Sequence, residues 1–107
     1  MSEEPEFLEL LKDNRAFLLF KHSLTCPISQ KAFQEFRRYS EKHPEVPAYY
    51  LAVQESRPLS NLIAEYYSIR HESPQIFYVR DGKVKWHCSH GDITETAIGK
   101  VMNHTAG

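Results

Sequence analysis

The chain has 107 residues, 41% of them hydrophobic and 25% charged, with a formal net charge of −1 at pH 7. This length suits one domain, residues 1–107, whose core needs no disulfide or metal, and two widely separated cysteines indicate a reducing, cytoplasmic setting. The near balance of charge argues against nucleic acid and anionic membranes as partners, and we find neither a signal-peptide pattern nor an apolar run near the ~20 residues of a membrane span.

The first half of the chain predicts a helix, a strand, a helix and a strand. The apolar side chains expected to share one face of the first helix are Phe7, Leu8 and Leu11. The uninterrupted apolar run 16–20 is typical of a strand buried on both faces. Pro27 suits the first position of the next helix, which His43-Pro44 ends. Residues 48–53 are rich in strand-forming side chains and predict the second strand.

The second half predicts a helix, a hairpin and a final helix. Apolar residues at i, i+3, i+4 and i+7 predict a helix over about 57–68. The Asp-Gly pair at 81–82 is typical of tight hairpin turns, and it separates two strand-like segments, 75–80 and 83–88. A capping-box-like pattern starting at Asp92 predicts the beginning of the last helix.

In this order the elements indicate an α/β fold. Two apolar strands joined by one helix form a βαβ unit, whose strands are parallel and whose crossover is right-handed. Adding the antiparallel hairpin gives a four-stranded mixed sheet flanked by helices on both faces. The turn after the first strand then lies at the carboxyl end of that strand, where sheets of this kind carry their sites.

Cys26 lies in that turn, directly before the helix-starting Pro27. It therefore caps the helix, and its side chain is expected to face the free N–H groups of Ile28 and Ser29. Those donors and the positive end of the helix dipole stabilise an anion, so we expect the thiol to react as a thiolate near neutral pH. The Ser29 hydroxyl is expected to add a hydrogen bond to that thiolate. The alternative is a small packed cysteine at a tight turn, since free cysteine is often buried.

Cys-x-x-Ser at a strand-to-helix turn resembles the active-site motif of the thioredoxin-like superfamily. The similarity covers nearly the whole chain, but the first thioredoxin strand is missing, so the core resembles that of glutaredoxins more closely. More specifically, the sequence resembles the monothiol bacilliredoxins, the YtxJ-like bacillithiol-system proteins. The matching segments are residues 21–23 with 25–29, residues 71–75 with 77–78, and residues 89–93. Three segments in the same order make this resemblance a specific one.

This resemblance implies that Cys26 is the attacking thiol of a thiol-disulfide oxidoreductase. The enzyme would remove bacillithiol, or a related small thiol, from mixed disulfides on client proteins. The resemblance also implies a cis peptide bond between Ser73 and Pro74. Serine at position 29 removes the internal disulfide of a dithiol enzyme, so the motif supports a monothiol cycle. We expect no tightly bound cofactor, the small thiol as co-substrate, and S-thiolated proteins as partners.

Four residues near the thiol are expected to support the thiolate: His22, Thr25, Pro27 and Ile28. A protonated His22 would be a positive neighbour of the sulfur, and His71 is a second candidate for that part. Substrate binding is expected just before the third strand, which should pair antiparallel with the first strand and start beside the cysteine turn. There Pro74 and the backbone of Ser73 would meet an extended substrate, and Glu72 would meet an amine on the small thiol.

The second cysteine, Cys88, is expected to be a packed side chain without a redox role. Strand alternation places it on the same face as Val84 and Trp86. Its strand lies two spacings, about 10 Å, from the strand that delivers Cys26, whereas a disulfide requires Cα atoms within roughly 7 Å. A resolving role would therefore need loops to move. His87 points to the opposite face, so we expect no metal site.

Two other functions stay open on the sequence alone. One is an iron–sulfur carrier like the monothiol glutaredoxins, which hold a cluster through one cysteine and a small thiol. Pro27 and the lack of a Cys-Gly-Phe-Ser motif argue against it. The other is a redox-silent adaptor that keeps the fold for protein contacts alone. The thiolate-stabilising position of Cys26 argues against that function.

Overall fold

The computed structural model describes residues 4–13 and 15–105. The elements occur in the expected order: α1 Glu4–Asp13, β1 Ala16–His22, α2 Pro27–Lys42, β2 Ala48–Ala52, α3 Arg57–Tyr67, β3 Gln75–Arg80, β4 Lys83–Ser89 and, after a short 3-10 turn at His90–Asp92, α4 Glu95–Thr105. β1 is two residues longer than the apolar run suggests, because Lys21 and His22 also pair in the sheet. Among the described residues, no helix is long and apolar enough to cross a membrane.

The four strands form one mixed sheet in the order β2-β1-β3-β4. β1 pairs in parallel with β2 and antiparallel with β3, and β3 pairs antiparallel with β4. Helices flank this sheet, as the α/β prediction requires. Every residue of β1 after Ala16 is buried. An interior strand covered on both faces has no polar side, which is why its sequence shows no alternation.

Each face of the sheet has its own hydrophobic core. α1 and α3 pack on one side, the α1/α3 face, whose buried residues include Phe7, Leu10, Phe17, Leu19, Leu59, Ile63, Phe77 and Val79. α2 and α4 pack on the other side, the α2/α4 face, whose buried residues include Leu18, Phe20, Ala32, Phe36, Tyr39, Ile76, Tyr78 and Ile98. Odd- and even-numbered residues of β1 therefore enter different cores, as successive side chains of a strand must.

One apolar position of α1 was predicted wrongly. Leu8 is 49% exposed, whereas Leu10 is only 5% exposed. Phe7, Leu10 and Leu11 contribute to the core of the α1/α3 face, whereas Leu8 is two residues from Leu10 and therefore about 160° away from it around the helix. Phe7 packs edge-on against Tyr66 of α3 with ring centroids 5.7 Å apart.

A β-bulge in the hairpin changes the faces predicted for β4. Two neighbouring residues of β3 lie opposite Val84 and Trp86, so β4 carries one extra residue, Lys85, between them. Val84 consequently packs on the α1/α3 face, whereas Trp86 and Cys88 pack on the α2/α4 face. The prediction that all three share a face was wrong, because strict alternation ends at a bulge.

Candidate active site at the turn between β1 and α2

Cys26 occupies the N-cap of α2. Its backbone is extended, with φ −102° and ψ 121°, and Pro27 follows at the start of the helix. The Cys26 carbonyl accepts the first helical hydrogen bond, from the amide of Gln30 at 3.0 Å. These features place the sulfur at the positive end of the helix dipole, as the sequence predicts.

The thiol itself makes no capping hydrogen bond. The expected contact with the amides of Ile28 and Ser29 is therefore absent. The helix dipole acts on the sulfur without such a bond. Cys26 is half-buried, and its neighbours Thr25, Pro27 and Ile28 are exposed. An approaching disulfide therefore meets an open and partly apolar surface around the sulfur.

Ser29 is fully buried, and its hydroxyl is used differently from the prediction. Its Oγ accepts the amide N–H of Ser23 at 2.8 Å and lies 2.9 Å from Nδ1 of His22. No hydrogen bond joins it to Cys26. The hydroxyl of Ser29 therefore links the start of α2 to the end of β1, and these hydrogen bonds fix the loop that carries the sulfur.

His22 is not the positive neighbour that the sequence suggested. Only 5% of it is exposed, and its ring stacks on Phe33 with centroids 4.5 Å apart. Burial lowers the pKa of His22 below its usual value, because desolvation disfavours the charged ring. The ring is therefore neutral near pH 7, and its part in the site is to support Ser29.

Gln54 also holds this turn, and sequence reasoning missed it. Its side-chain carbonyl accepts the amide N–H of Leu24 at 3.1 Å, and its amide donates to Oγ of Ser23 at 2.9 Å and to Oγ1 of Thr25 at 3.4 Å. Gln54 follows β2, whose parallel pairing with β1 brings the two carboxyl ends together. A polar residue just after the neighbouring parallel strand was the available signal.

The segment before β3 lies where the sequence predicts. In the antiparallel pair, Gln75 is opposite Lys21, so the residues before β3 border the end of β1 that leads to Cys26. The Ser73–Pro74 peptide bond is cis. Pro74 is buried, and its carbonyl accepts the amide N–H of His90 at 3.1 Å. The Oγ of Ser73 is buried without a hydrogen-bond partner.

Glu72 lies in the same segment, and both its carboxyl group and its backbone amide form hydrogen bonds. A hydrogen bond from Ser89 is the largest influence on the carboxyl and keeps its pKa below the usual range, with His90 and Arg70 adding smaller effects in the same direction. Its backbone amide donates to the side chain of Gln75 at 3.3 Å. Glu72 is therefore an ionised and oriented carboxylate at the edge of the site.

Lys21 is a second residue that sequence reasoning missed. It is fully buried, and its Nζ donates to the carbonyl of Ser60 at 3.0 Å and lies 3.1 Å from Nδ1 of His71. Burial lowers the pKa of Lys21 to about 8. The predicted strand ended at residue 20, so this lysine was taken for part of the turn. Its position directly after a fully buried run was the signal.

His71 likewise is not a positive neighbour of the sulfur. Its Nδ1 lies 3.1 Å from the hydroxyl of Ser60 as well as 3.1 Å from Lys21. Burial is the largest influence on its pKa, which is lowered, and the positive charges of Lys21 and Arg57 act in the same direction. The ring is therefore neutral near pH 7 and accepts a hydrogen bond from the lysine.

Cys88 is placed away from this chemistry. β3 separates its strand from β1, and both cysteines are free thiols. Burial, with a smaller contribution from Asp92, raises the pKa of Cys88 to about 11. His87 lies on the other face of β4, against Phe77. No group of three or more potential metal ligands occurs within the part of the chain that the structure describes.

A groove of about 350 Å³ runs along the first turns of α2. Its lining residues are Pro27, Ile28, Lys31, Ala32, His90, Gly91, Ile93 and Thr94. The groove begins at the residue next to Cys26, so a group bonded to the sulfur has room to extend into it. Its walls are mainly apolar, and Lys31 and His90 supply basic groups.

One known family and several solved structures are similar to this chain. The family described as monothiol bacilliredoxin BrxC matches residues 1–98. A solved structure described as a candidate oxidoreductase with a thioredoxin fold is 36% identical, with a TM-score of 0.88, and the match covers 94% of this chain and 88% of that one.

Two more distant structures show the same fold. Thioredoxin from Trypanosoma brucei brucei has a TM-score of 0.80 at 9% identity, with 100% of this chain and 89% of that chain covered. A chain from a study of thiol resolution in yeast mitochondrial 1-Cys peroxiredoxin through the glutathione and thioredoxin systems has a TM-score of 0.77 at 19% identity, with 97% and 92% covered. The fold is therefore thioredoxin-like.

Proposed function

From the premise that the chain belongs to the monothiol bacilliredoxin family, we propose that it removes bacillithiol, or a related small thiol, from mixed disulfides on client proteins in the cytoplasm. Cys26 is the nucleophile, and the small thiol is the co-substrate. No tightly bound cofactor takes part. The observation that carries the proposal is one thiol at the N-cap of a helix, with a buried serine three residues later.

The reaction is a pair of thiol-disulfide exchanges. The Cys26 thiolate attacks the small-thiol sulfur of the mixed disulfide, the old S–S bond breaks, and the client leaves as a thiolate that takes a proton from water. Cys26 now carries the small thiol. A second small-thiol thiolate attacks that adduct, which releases the symmetric disulfide and restores the Cys26 thiolate. A separate reductase must reduce the symmetric disulfide.

Two features favour this monothiol cycle over an internal disulfide. The hydroxyl of Ser29 occupies the position of a resolving thiol, and its hydrogen bonds to Ser23 and His22 keep it in the turn. The remaining cysteine, Cys88, is two strands away and holds its proton up to a pKa of about 11. A resolving thiol must be a thiolate and within reach, and Cys88 lacks both properties.

The surroundings suit the two substrates. The groove beside Pro27 has room for the small thiol once it is bonded to Cys26, and Lys31 and His90 are the basic residues of its lining. The segment with Ser73 and Pro74 borders the end of β1 and is the expected contact for the extended client chain. Glu72, ionised at the edge of the site, is available to an amine on the small thiol.

Intact-mass measurement tests the proposal directly. The Cys88→Ser variant, which keeps Cys26 as its only cysteine, is incubated with a client protein carrying bacillithiol. We expect the client to lose the mass of one bacillithiol and Cys26 to gain it, and reduced bacillithiol then to remove the adduct. An unchanged client, with Cys26 verified as reduced and open to alkylation, would refute the proposal and favour the adaptor function.

A further inference from the structure

Two fully buried polar side chains lie side by side at the end of the sheet. Lys21 of β1 is 0% exposed and Gln75 of β3 is 1% exposed, and they are directly opposite each other in the antiparallel pair. Residues opposite each other share a face, and here it is the α1/α3 face, where Lys21 lies 5.7 Å above the ring of Phe77. We call this pair the polar rung.

The polar rung holds the 68–74 loop, the segment between α3 and β3 that contains Ser73 and Pro74. The side chain of Gln75 donates to the carbonyl of Arg70 at 3.1 Å and accepts the amide of Glu72 at 3.3 Å. Lys21 contacts Nδ1 of His71 at 3.1 Å, between those two attachments. The loop is thus tied by side chains at three consecutive residues.

This arrangement is costly for the fold. A buried ammonium group needs compensation for lost hydration, yet no carboxylate forms an ion pair with Lys21 among the described residues. Its partners are the carbonyl of Ser60 and the ring of His71. Replacing buried charged groups by apolar side chains of similar volume is often neutral or stabilising. The presence of a lysine at this buried position is therefore better explained by its contact with the 68–74 loop than by a gain in stability.

We propose that Lys21 is a positioning residue: through His71 it holds the 68–74 loop in the geometry that receives the client chain beside Cys26. The inference rests on the proposed function for the identity of the client, but the hold itself can be measured without turnover. Lys21 touches no reacting atom. Its expected effect is on recognition of the client chain and not on the reactivity of the sulfur.

Because the acceptor of the Lys21 hydrogen bond is a histidine, the contact between Lys21 and His71 depends on pH. Neutral His71 accepts from Lys21 through Nδ1, and a protonated ring has no acceptor to offer. The charged groups facing His71 are Lys21 from β1, Arg57 from α3 and Glu72 from its own loop. The two cations disfavour protonation and Glu72 favours it. Protonation of His71 in acid should therefore break its contact with Lys21 and leave the loop tied by Gln75 alone.

The test compares Lys21→Met with Lys85→Met, the same change at an exposed lysine of β4. With a bacillithiol-modified client, we expect Lys21→Met to raise KM about tenfold with kcat within twofold, and Lys85→Met to change neither. Alkylation of Cys26 by iodoacetamide, a reagent too small to use the loop, should stay within twofold in both variants. An unchanged KM, or an equal loss of client reaction and alkylation, would overturn the inference.

A second pair of variants covers the case in which Lys21→Met does not fold. His71→Ala removes the acceptor, whereas His71→Asn can offer its side-chain oxygen near the position of Nδ1. We expect His71→Ala to raise KM for the client as Lys21→Met does. His71→Asn should keep the KM of the parent at neutral pH. It should also lack the rise of KM that the parent shows in acid. Equal effects of Ala and Asn would contradict the proposed hydrogen bond.

Hydrogen exchange separates this inference from the proposed function. The amides of the 68–74 loop should exchange at least fivefold faster in His71→Ala than in the parent, with His71→Asn close to the parent. If these exchange rates are found but the protein does not act on the mixed disulfide, the proposed function is wrong and the contact between Lys21 and His71 still positions the loop. If the parent is active but loop exchange and KM do not change in the variants, only the inference fails.

Discussion

The two cysteines of this chain differ in almost everything except exposure. Cys26 and Cys88 are both half-buried free thiols. Cys26 ends a turn and caps α2, whereas Cys88 lies inside β4 and packs on the α2/α4 face. Burial and the nearby Asp92 raise the pKa of Cys88 to about 11.

The difference shows that exposure does not decide whether a cysteine is reactive. The thiolate is the nucleophile, so what matters is how the surroundings treat negative charge. A helix N-terminus offers unpaired amides and a positive dipole end. Cys88 lies in the edge strand β4, where burial and the nearby Asp92 both disfavour a negative charge on the sulfur. Four experiments would break or sharpen this comparison, and they follow in order of expected effect.

Removing each sulfur in turn should give the largest contrast. Cys26→Ser should lower the rate of bacillithiol removal from a client by at least about 10³-fold, or ~4 kcal/mol of barrier, because the nucleophile is lost. Cys88→Ala is the matched control and should retain activity within about twofold. A loss beyond tenfold in a folded Cys88→Ala protein would show that Cys88 acts as a resolving thiol.

Alkylation should distinguish the sulfurs without any client. With a pKa of about 11, only ~0.03% of Cys88 is thiolate at pH 7.5, against ~10% for an unperturbed cysteine. We expect iodoacetamide to modify Cys26 in the Cys88→Ser variant at least about 100-fold faster than it modifies Cys88 in the Cys26→Ser variant. Rates within tenfold of each other would remove the contrast between the two sites.

Introducing a third sulfur tests what Ser29 contributes. Ser29→Cys should form a disulfide with Cys26 after attack on a mixed disulfide, so that free small thiol is released and no stable adduct is seen. The reduced variant should be less stable than the parent by about 1–2 kcal/mol, because the hydrogen bonds to Ser23 and His22 are lost. Denaturant unfolding and intact mass measure the two effects.

Two results would contradict this account of Ser29. A persistent adduct on Cys26 in Ser29→Cys would mean that the two sulfurs cannot meet. Unchanged stability of the reduced variant would mean that the serine hydroxyl does not hold the turn. Ser40→Cys is a suitable control, because Ser40 lies further along α2 and its buried hydroxyl has no hydrogen-bond partner.

The smallest effect is on stability at high pH. The pKa of Cys88 is about 11 in the folded chain, whereas it is near 9 in the unfolded chain. The folded state therefore binds more protons between pH 9 and 11, so this contribution to stability is complete below pH 9 and falls as pH rises to 11. The slope should be well below the one-proton limit of about 1.4 kcal/mol per pH unit, since Cys88 is half-exposed.

The matched measurement is the free energy of unfolding of the parent minus that of Cys88→Ala, between pH 8 and 11. All other ionisable groups are the same in both proteins, so their contributions cancel. We expect the difference to fall with increasing pH. A flat difference would mean that the strand does not discriminate against the Cys88 thiolate.

Local patterns in the sequence were sufficient for the architecture. The apolar run before Lys21, the helical periodicities and the Asp-Gly turn predict the order of helices and strands, and the α/β fold with a four-stranded mixed sheet is confirmed. The placement of Cys26 before Pro27 predicts an N-cap, and the structure has it. These inferences succeed because they depend on residues close together in the chain.

What only the tertiary structure decided depends on residues far apart in the chain. The partners of Lys21 are 39 and 50 residues away, and no periodicity relates them. Desolvation lowers the pKa of His22 and, together with the positive charges of Lys21 and Arg57, that of His71, and a local motif cannot show these surroundings. The hydroxyl of Ser29 was predicted to bond to the sulfur, but it bonds to Ser23 and His22 instead.

The bulge at Lys85 shows the same limit within one strand. Alternation predicts the face of each side chain only while the pairing register is regular, and the register depends on the partner strand. The sequence by itself therefore determined the elements, their order and the capped thiol. Long-range packing decided which polar groups meet, which are charged and which hold the site, because desolvation and hydrogen bonding act only after the strands are paired.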